Sequence, residues 1–141
     1  MWAVQFLFQW DFTQTDDWPL ALEVFLSDKK KHMSKKMSLF FTERIEGVKA
    51  RKEDLDAFIK RSSENWDLHR MGGVDRNVLR LAFFELLHCP DVPPVVAVNE
   101  AIQLARELSS DESGKFVNGI LDKVIRTLDR PLRQGVAREE G

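Results

Sequence analysis

The sequence predicts an all-α protein of about seven helices. Three observations lead there. Apolar residues recur at helical spacing along most of the chain, no two stretches alternate as a strand pair would, and the interruptions fall at Gly, Pro or Ser-rich runs. At 141 residues the chain is long enough for one domain with its own core.

Residues 2–12 form the first expected helix, with Ala3, Val4, Leu7, Phe8 and Phe12 on a core face. Trp2, Phe6 and Trp10 make a second apolar stripe at i, i+4, i+8. That stripe is either sandwiched between the two halves of the chain or offered to another copy of it. Asp17-Trp18-Pro19 opens a second helix over about 19–27, with Pro where its missing N–H costs nothing. In the third, Met37, Phe41, Ile45 and Val48 mark one stripe, and Gly47 either lies inside it or ends it. The fourth runs over about 53–66, with Leu55, Phe58, Ile59 and Trp66 inward. Met71-Gly72-Gly73 breaks the pattern and separates subdomains at about 1–70 and 74–130.

The fifth helix, about 74–88, is apolar nearly all round, which marks it as central and buried. Pro90, Pro93 and Pro94 enforce an extended loop. The sixth, about 95–108, carries Val98, Ala101, Ile102, Ala105 and Leu108 on one face. Residues 109–114 read as a polar break, and a seventh helix follows over about 114–128. Residues 131–141 read as a flexible C-terminal tail.

Net charge is −2, but the charge is unevenly placed. Residues 1–28 hold five acids and no Lys or Arg; residues 29–61 hold eleven bases against five acids. The bases concentrate at Lys29-Lys30-Lys31-His32 and Lys35-Lys36. Such a run suits a polyanion, and equally a solvated face. No apolar stretch approaches the length of a membrane span, and no basic segment precedes an apolar one as in a signal peptide. A cytoplasmic location, with no membrane partner, is expected.

Catalytic chemistry has no sign here. His32, His69 and His88 share no metal-ligand spacing, and a lone Cys89 beside His88 cannot complete a zinc site. Cys89 reads as a packed apolar residue, and no phosphate-binding glycine loop or nucleophile elbow is present. The expectation is a protein that is not an enzyme, with no cofactor and no metal. One segment suggests binding instead. Lys115-Phe116 at an expected helix start combines a cation, an aromatic ring and free N–H groups, a set suited to single-stranded RNA.

Four segments carry a family resemblance. Val78-Leu79-Arg80-Leu81-Ala82-Phe83-Phe84-Glu85-Leu86, Pro93-Pro94-Val95-Val96-Ala97-Val98-Asn99-Glu100-Ala101, Lys115-Phe116-Val117-Asn118-Gly119-Ile120-Leu121-Asp122 and Ala3-Val4-Gln5-Phe6-Leu7-Phe8-Gln9-Trp10 resemble, in order and spacing, the signatures of the NusB family. The resemblance covers nearly the whole chain. It implies two small helical bundles and a transcription antitermination role. It also implies two partners, the ribosomal protein NusE and boxA-type single-stranded RNA of ribosomal RNA leaders, within an RNA polymerase complex. Carried over by residue, the RNA surface would take in Lys115, Phe116, Glu112, Ser113 and Arg76. The partner surface would take in Phe8, which stands where the family has Tyr, with Asp75 and Arg80. Asn99 and Glu100 would support the start of the sixth helix. Trp2, Phe6 and Trp10 would face a second copy in a homodimeric storage form with weak RNA affinity. The other alternative is the NusB-like module of an RNA cytosine methyltransferase. The family also carries an arginine-rich segment just before its first helix. Met1-Trp2 stands inside that helix here, so either the start is misplaced or trimmed, or the protein binds RNA without that segment, through fewer phosphate contacts and with Lys29–Lys36 as compensation.

Overall fold

The computed structural model describes residues 2–13, 18–29, 34–63 and 71–128. They form seven α-helices and, among the described residues, no strand. These are α1 (Trp2–Thr13), α2 (Trp18–Lys29), α3 (Lys35–Ala50), α4 (Lys52–Ser62), α5 (Gly73–His88), α6 (Pro94–Leu108) and α7 (Asp111–Ile125). Trp66 and the end expected for the fourth helix lie outside the described residues, as do His32, His69 and the tail.

Local chemistry explains most helix ends. Ser34 caps α3, its Oγ accepting from the Met37 N–H at 3.1 Å. In α4, Glu53 and Asp54 occupy the first turn and Lys60 and Arg61 the last, matching the helix dipole. Pro94 opens α6 at a position that needs no N–H donor. Pro93 is the N-cap with no side-chain cap bond, and Asn99 and Glu100 are exposed further along. Neither of the two supplies the cap at the start of α6.

α5 is the axis of the fold. Every residue from Asn77 to Leu86 is buried, and α1, α3, α4, α6 and α7 all pack on it. The buried apolar residues form one cluster drawn from all seven helices. Gly47 lies inside α3, not at its end. A Cβ there would sit 2.1 Å from the Phe84 ring, so only glycine lets α3 approach α5 this closely. Met37, expected inward, is exposed, while Phe41, Ile45 and Val48 are buried.

Two further expectations are corrected. α7 begins at Asp111, three residues before the expected start, because Ser110 caps it by accepting from the Ser113 N–H at 3.1 Å. The stripe on α1 is not an open surface at Phe6. That ring is 2% exposed and meets Phe25 of α2 edge-on, at 5.5 Å between centroids, so it cannot face a second copy. The side chains of Trp2 and Trp10 lie outside the described residues.

Candidate functional site

The N-terminal ends of α5 and α7 meet beside α1. Three contacts fix this arrangement. Phe8 of α1 lies over Gly73, where a Cβ would come within 2.6 Å of its ring. Arg76 donates from Nε to Asp11 Oδ2 at 2.7 Å, tying α5 to α1. Ser113 donates from Oγ to Asp75 Oδ2 at 3.4 Å, tying α7 to α5. The residues that the sequence separates by a hundred positions thus share one end of the molecule.

The expected RNA residues divide by exposure. Lys115 and Glu112 are exposed on the first two turns of α7, and Phe116 is half-buried against the core. Lys115 is not at the helix start. The first intrahelical bond runs from the Gly114 N–H to the Ser110 carbonyl, and Asp111 and Glu112 occupy the positive end of the dipole. The expected phosphate site on free N–H groups is corrected accordingly; what α7 presents is a cation beside a ring. Ser113 is 8% exposed, with its hydroxyl among Ser109, Ser110 and Asp75. It holds the junction together and offers no surface to RNA, which corrects its expected role.

The expected partner residues divide likewise. Phe8 is 40% exposed, so its ring is available at the surface. Asp75 is half-buried. Burial pushes its carboxyl above the ordinary range against the Ser113 hydroxyl, and its Oδ1 is buried without a hydrogen bond. Arg80 is a correction. Its side chain is 3% exposed and forks Asp56 through Nε at 2.7 Å and Nη2 at 2.9 Å. Its Nη1 donates to Asn77 Oδ1 at 3.0 Å and lies 3.3 Å from Asp11 Oδ1. Arg80 therefore joins α1, α4 and α5 from within and cannot touch a partner.

Asp11, Asp56 and Asn77 are the functional-end residues that sequence reasoning missed. Burial alone would raise the Asp11 carboxyl; hydrogen bonds and charge from Arg76 and Arg80 outweigh it and hold the group below its ordinary value. Asn77 is fully buried, donating to the Gly73 carbonyl at 2.8 Å and to Asp11 at 3.3 Å. The signal that was available is an arginine inside the apolar run of α5, since a buried guanidinium requires acidic partners. Arg76 also donates from Nη1 to the Met71 carbonyl at 3.3 Å, and its side chain is 17% exposed at the rim of this face.

Among the described residues, no group of three or more His, Cys, Asp or Glu is placed to hold a metal. No helix among them is long and apolar enough to cross a membrane. Cys89 is buried at the end of α5.

The sequence and the fold have close counterparts. A sequence model of the NusB family matches residues 1–126. A transcription antitermination protein NusB of Desulfosudis oleivorans is 44% identical over 128 residues, which is 89% of this chain and 82% of that protein. NusB from T. maritima superposes with a TM-score of 0.80 at 36% identity, over 89% of this chain and 87% of that one. A solved complex of antitermination factors NusB and NusE with double-stranded RNA matches with a TM-score of 0.77, over 90% of this chain and 92% of its counterpart. At 23% identity, that last likeness is one of fold.

Proposed function

Since the chain belongs to the NusB family, we propose that it is a transcription antitermination factor that binds leader RNA together with a NusE-like ribosomal protein. The reading needs no catalysis. It describes a protein acting by recognition, in the cytoplasm, where RNA polymerase works. The observation that carries it is the single end of the molecule at which α1, α5 and α7 converge. There the exposed Phe8 ring lies over the start of α5, and α7 places Lys115 beside Phe116.

Each residue has a physical role in this reading. Lys115 pairs with a phosphate and Phe116 stacks on an unpaired base. Glu112, exposed one turn before Phe116, accepts from base amino groups and disfavours RNA that offers only phosphates there. Arg76, with its fork held by Asp11, stands at the rim. Phe8 supplies an apolar anchor for the protein partner, which an exposed aromatic ring beside a rigid helix start does well. Asp75 shapes the seam between the two surfaces through Ser113. A heterodimer would add the partner's own contacts to a face that carries few cations here.

The test is fluorescence anisotropy with a boxA-like single-stranded RNA, with and without the NusE-like protein, beside a double-stranded control. The proposal expects tighter binding with the partner and preference for the single strand. Equal affinity with and without the partner would remove the heterodimer from the account. Equal affinity for both RNAs would remove base stacking by Phe116.

A further inference from the structure

Away from that end, α1, α3, α5 and α6 line a half-open cavity of about 720 Å³, within the size range of small-molecule sites. Its walls are mainly apolar: Ala3, Leu81, Ala97 and Leu104 are typical. One strong cation sits in it. Arg44 is 2% exposed, yet its Nε and Nη2 are buried with no hydrogen-bond partner. Those two nitrogens form the edge with which a guanidinium forks a carboxylate. Arg80 uses the same edge on Asp56 in this protein, at 2.7 and 2.9 Å. Arg44 has no such partner, for Glu85 Oε2 stands 3.9 Å from its Nε, beyond hydrogen-bond reach. Phe40 stacks on the guanidinium, with Cζ 4.1 Å from the ring centroid, and holds its plane.

Burial raises the Glu85 carboxyl to about 7, the Arg44 charge opposing that rise and Glu100 and Asp91 adding to it. Near neutral pH, therefore, Glu85 only partly compensates Arg44. A buried guanidinium with an unmade fork is costly, and a carboxylate in the cavity would satisfy it once Arg44 turns these closed-off nitrogens toward it. At the mouth, Lys36 draws an anion in, Glu100 opposes it, and the exposed Met37 and Phe40 form an adaptable apolar rim.

We propose that this cavity binds a small apolar monocarboxylic acid, its carboxylate forked by Arg44 and its hydrocarbon chain lying along α5 and α6. The site is separate from the proposed RNA end and does not depend on that reading. Decanoate is a suitable probe and decanol the matched control, sharing the chain and lacking the carboxylate. By calorimetry on the full chain, decanoate should bind saturably and at least about tenfold more tightly than decanol, the least expected of a charge-assisted fork. Arg44→Met should lose that preference while its melting temperature at or below neutral pH changes little, because Glu85, already raised to about 7, takes up a proton when its long ion pair to Arg44 is removed. Arg44→Lys should keep the charge and bind more weakly for want of the fork. No saturable binding of decanoate to the wild type would overturn the proposal. So would equal binding of acid and alcohol, or unchanged preference in Arg44→Met.

Discussion

Replacing Arg80 by Met probes the centre of the fold. The side chain is 3% exposed and forks Asp56, whose side chain is 21% exposed, while its Nη1 faces Asp11, at 9%. Removing one partner of a buried ion pair costs about 3–5 kcal/mol. Two features place this site at the lower end. Asp11 keeps Arg76, and Asp56 reaches water. The expected loss is therefore ~3 kcal/mol. With a urea slope of about 1.5 kcal/mol/M, the midpoint should fall by about 2 M. Urea unfolding followed by circular dichroism reads this directly. Adding Asp56→Leu should restore part of the loss, because an apolar pair replaces a charge left alone. A loss below ~1 kcal/mol for Arg80→Met, or strict additivity of the two changes, would refute the internal clamp. A fall in partner affinity with stability intact would instead return Arg80 to the surface role that its burial denies.

Other outcomes follow from the same geometry. Glu85 has its folded value raised from 4.5 to about 7, so its contribution is fully present below 4.5 and is lost as pH rises through about 7. Stability should therefore fall by up to ~3 kcal/mol across that window, and Glu85→Gln should flatten the profile in denaturant titrations. Gly47→Ala should destabilise by ~1–3 kcal/mol, since the new Cβ would overlap the Phe84 ring. Gly119→Ala, in open space inside α7, should stabilise by ~0.5–1 kcal/mol; thermal melts of the pair decide both. Lys115→Ala should lower the slope of log affinity against log salt by about 1 if the side chain contacts a phosphate, and titrations at several salt concentrations measure it.

Periodicity carried most of the architecture. The all-round apolar character of the fifth helix placed it at the centre, and the structure surrounds it with five others. The start of α7 was missed for a definite reason. A serine-rich run looks like a loop, yet Ser110 followed by Asp111 and Glu112 is also a cap and an acidic first turn. Ser113 was placed on the RNA surface by the family resemblance, whereas the structure turns its hydroxyl toward Ser109, Ser110 and Asp75. The sequence left Phe6 either sandwiched or offered to another copy, because spacing within one helix cannot reveal that α2 brings Phe25 against it. Arg80 was legible as an arginine in an apolar run, but its counter-ions were not. Asp56 is 24 residues away and Asp11 lies in the first helix, so only the tertiary fold names them. At the candidate site, the motif around Lys115 and Phe116 was legible at once; that Phe8 lies over the start of α5, which Ser113 ties to α7, required the tertiary packing.

The central claim is that Lys115 and Phe116 bind RNA on a face completed by a NusE-like partner. The most direct measurement is anisotropy of a boxA-like RNA with the wild type and with Lys115→Ala/Phe116→Ala, each with and without that partner. Loss of one phosphate contact and one stacked base predicts at least about a tenfold weakening in the variant. Affinity for the NusE-like protein itself should stay intact. Undiminished RNA binding by the variant–partner complex would contradict the account, moving RNA recognition off α7 altogether.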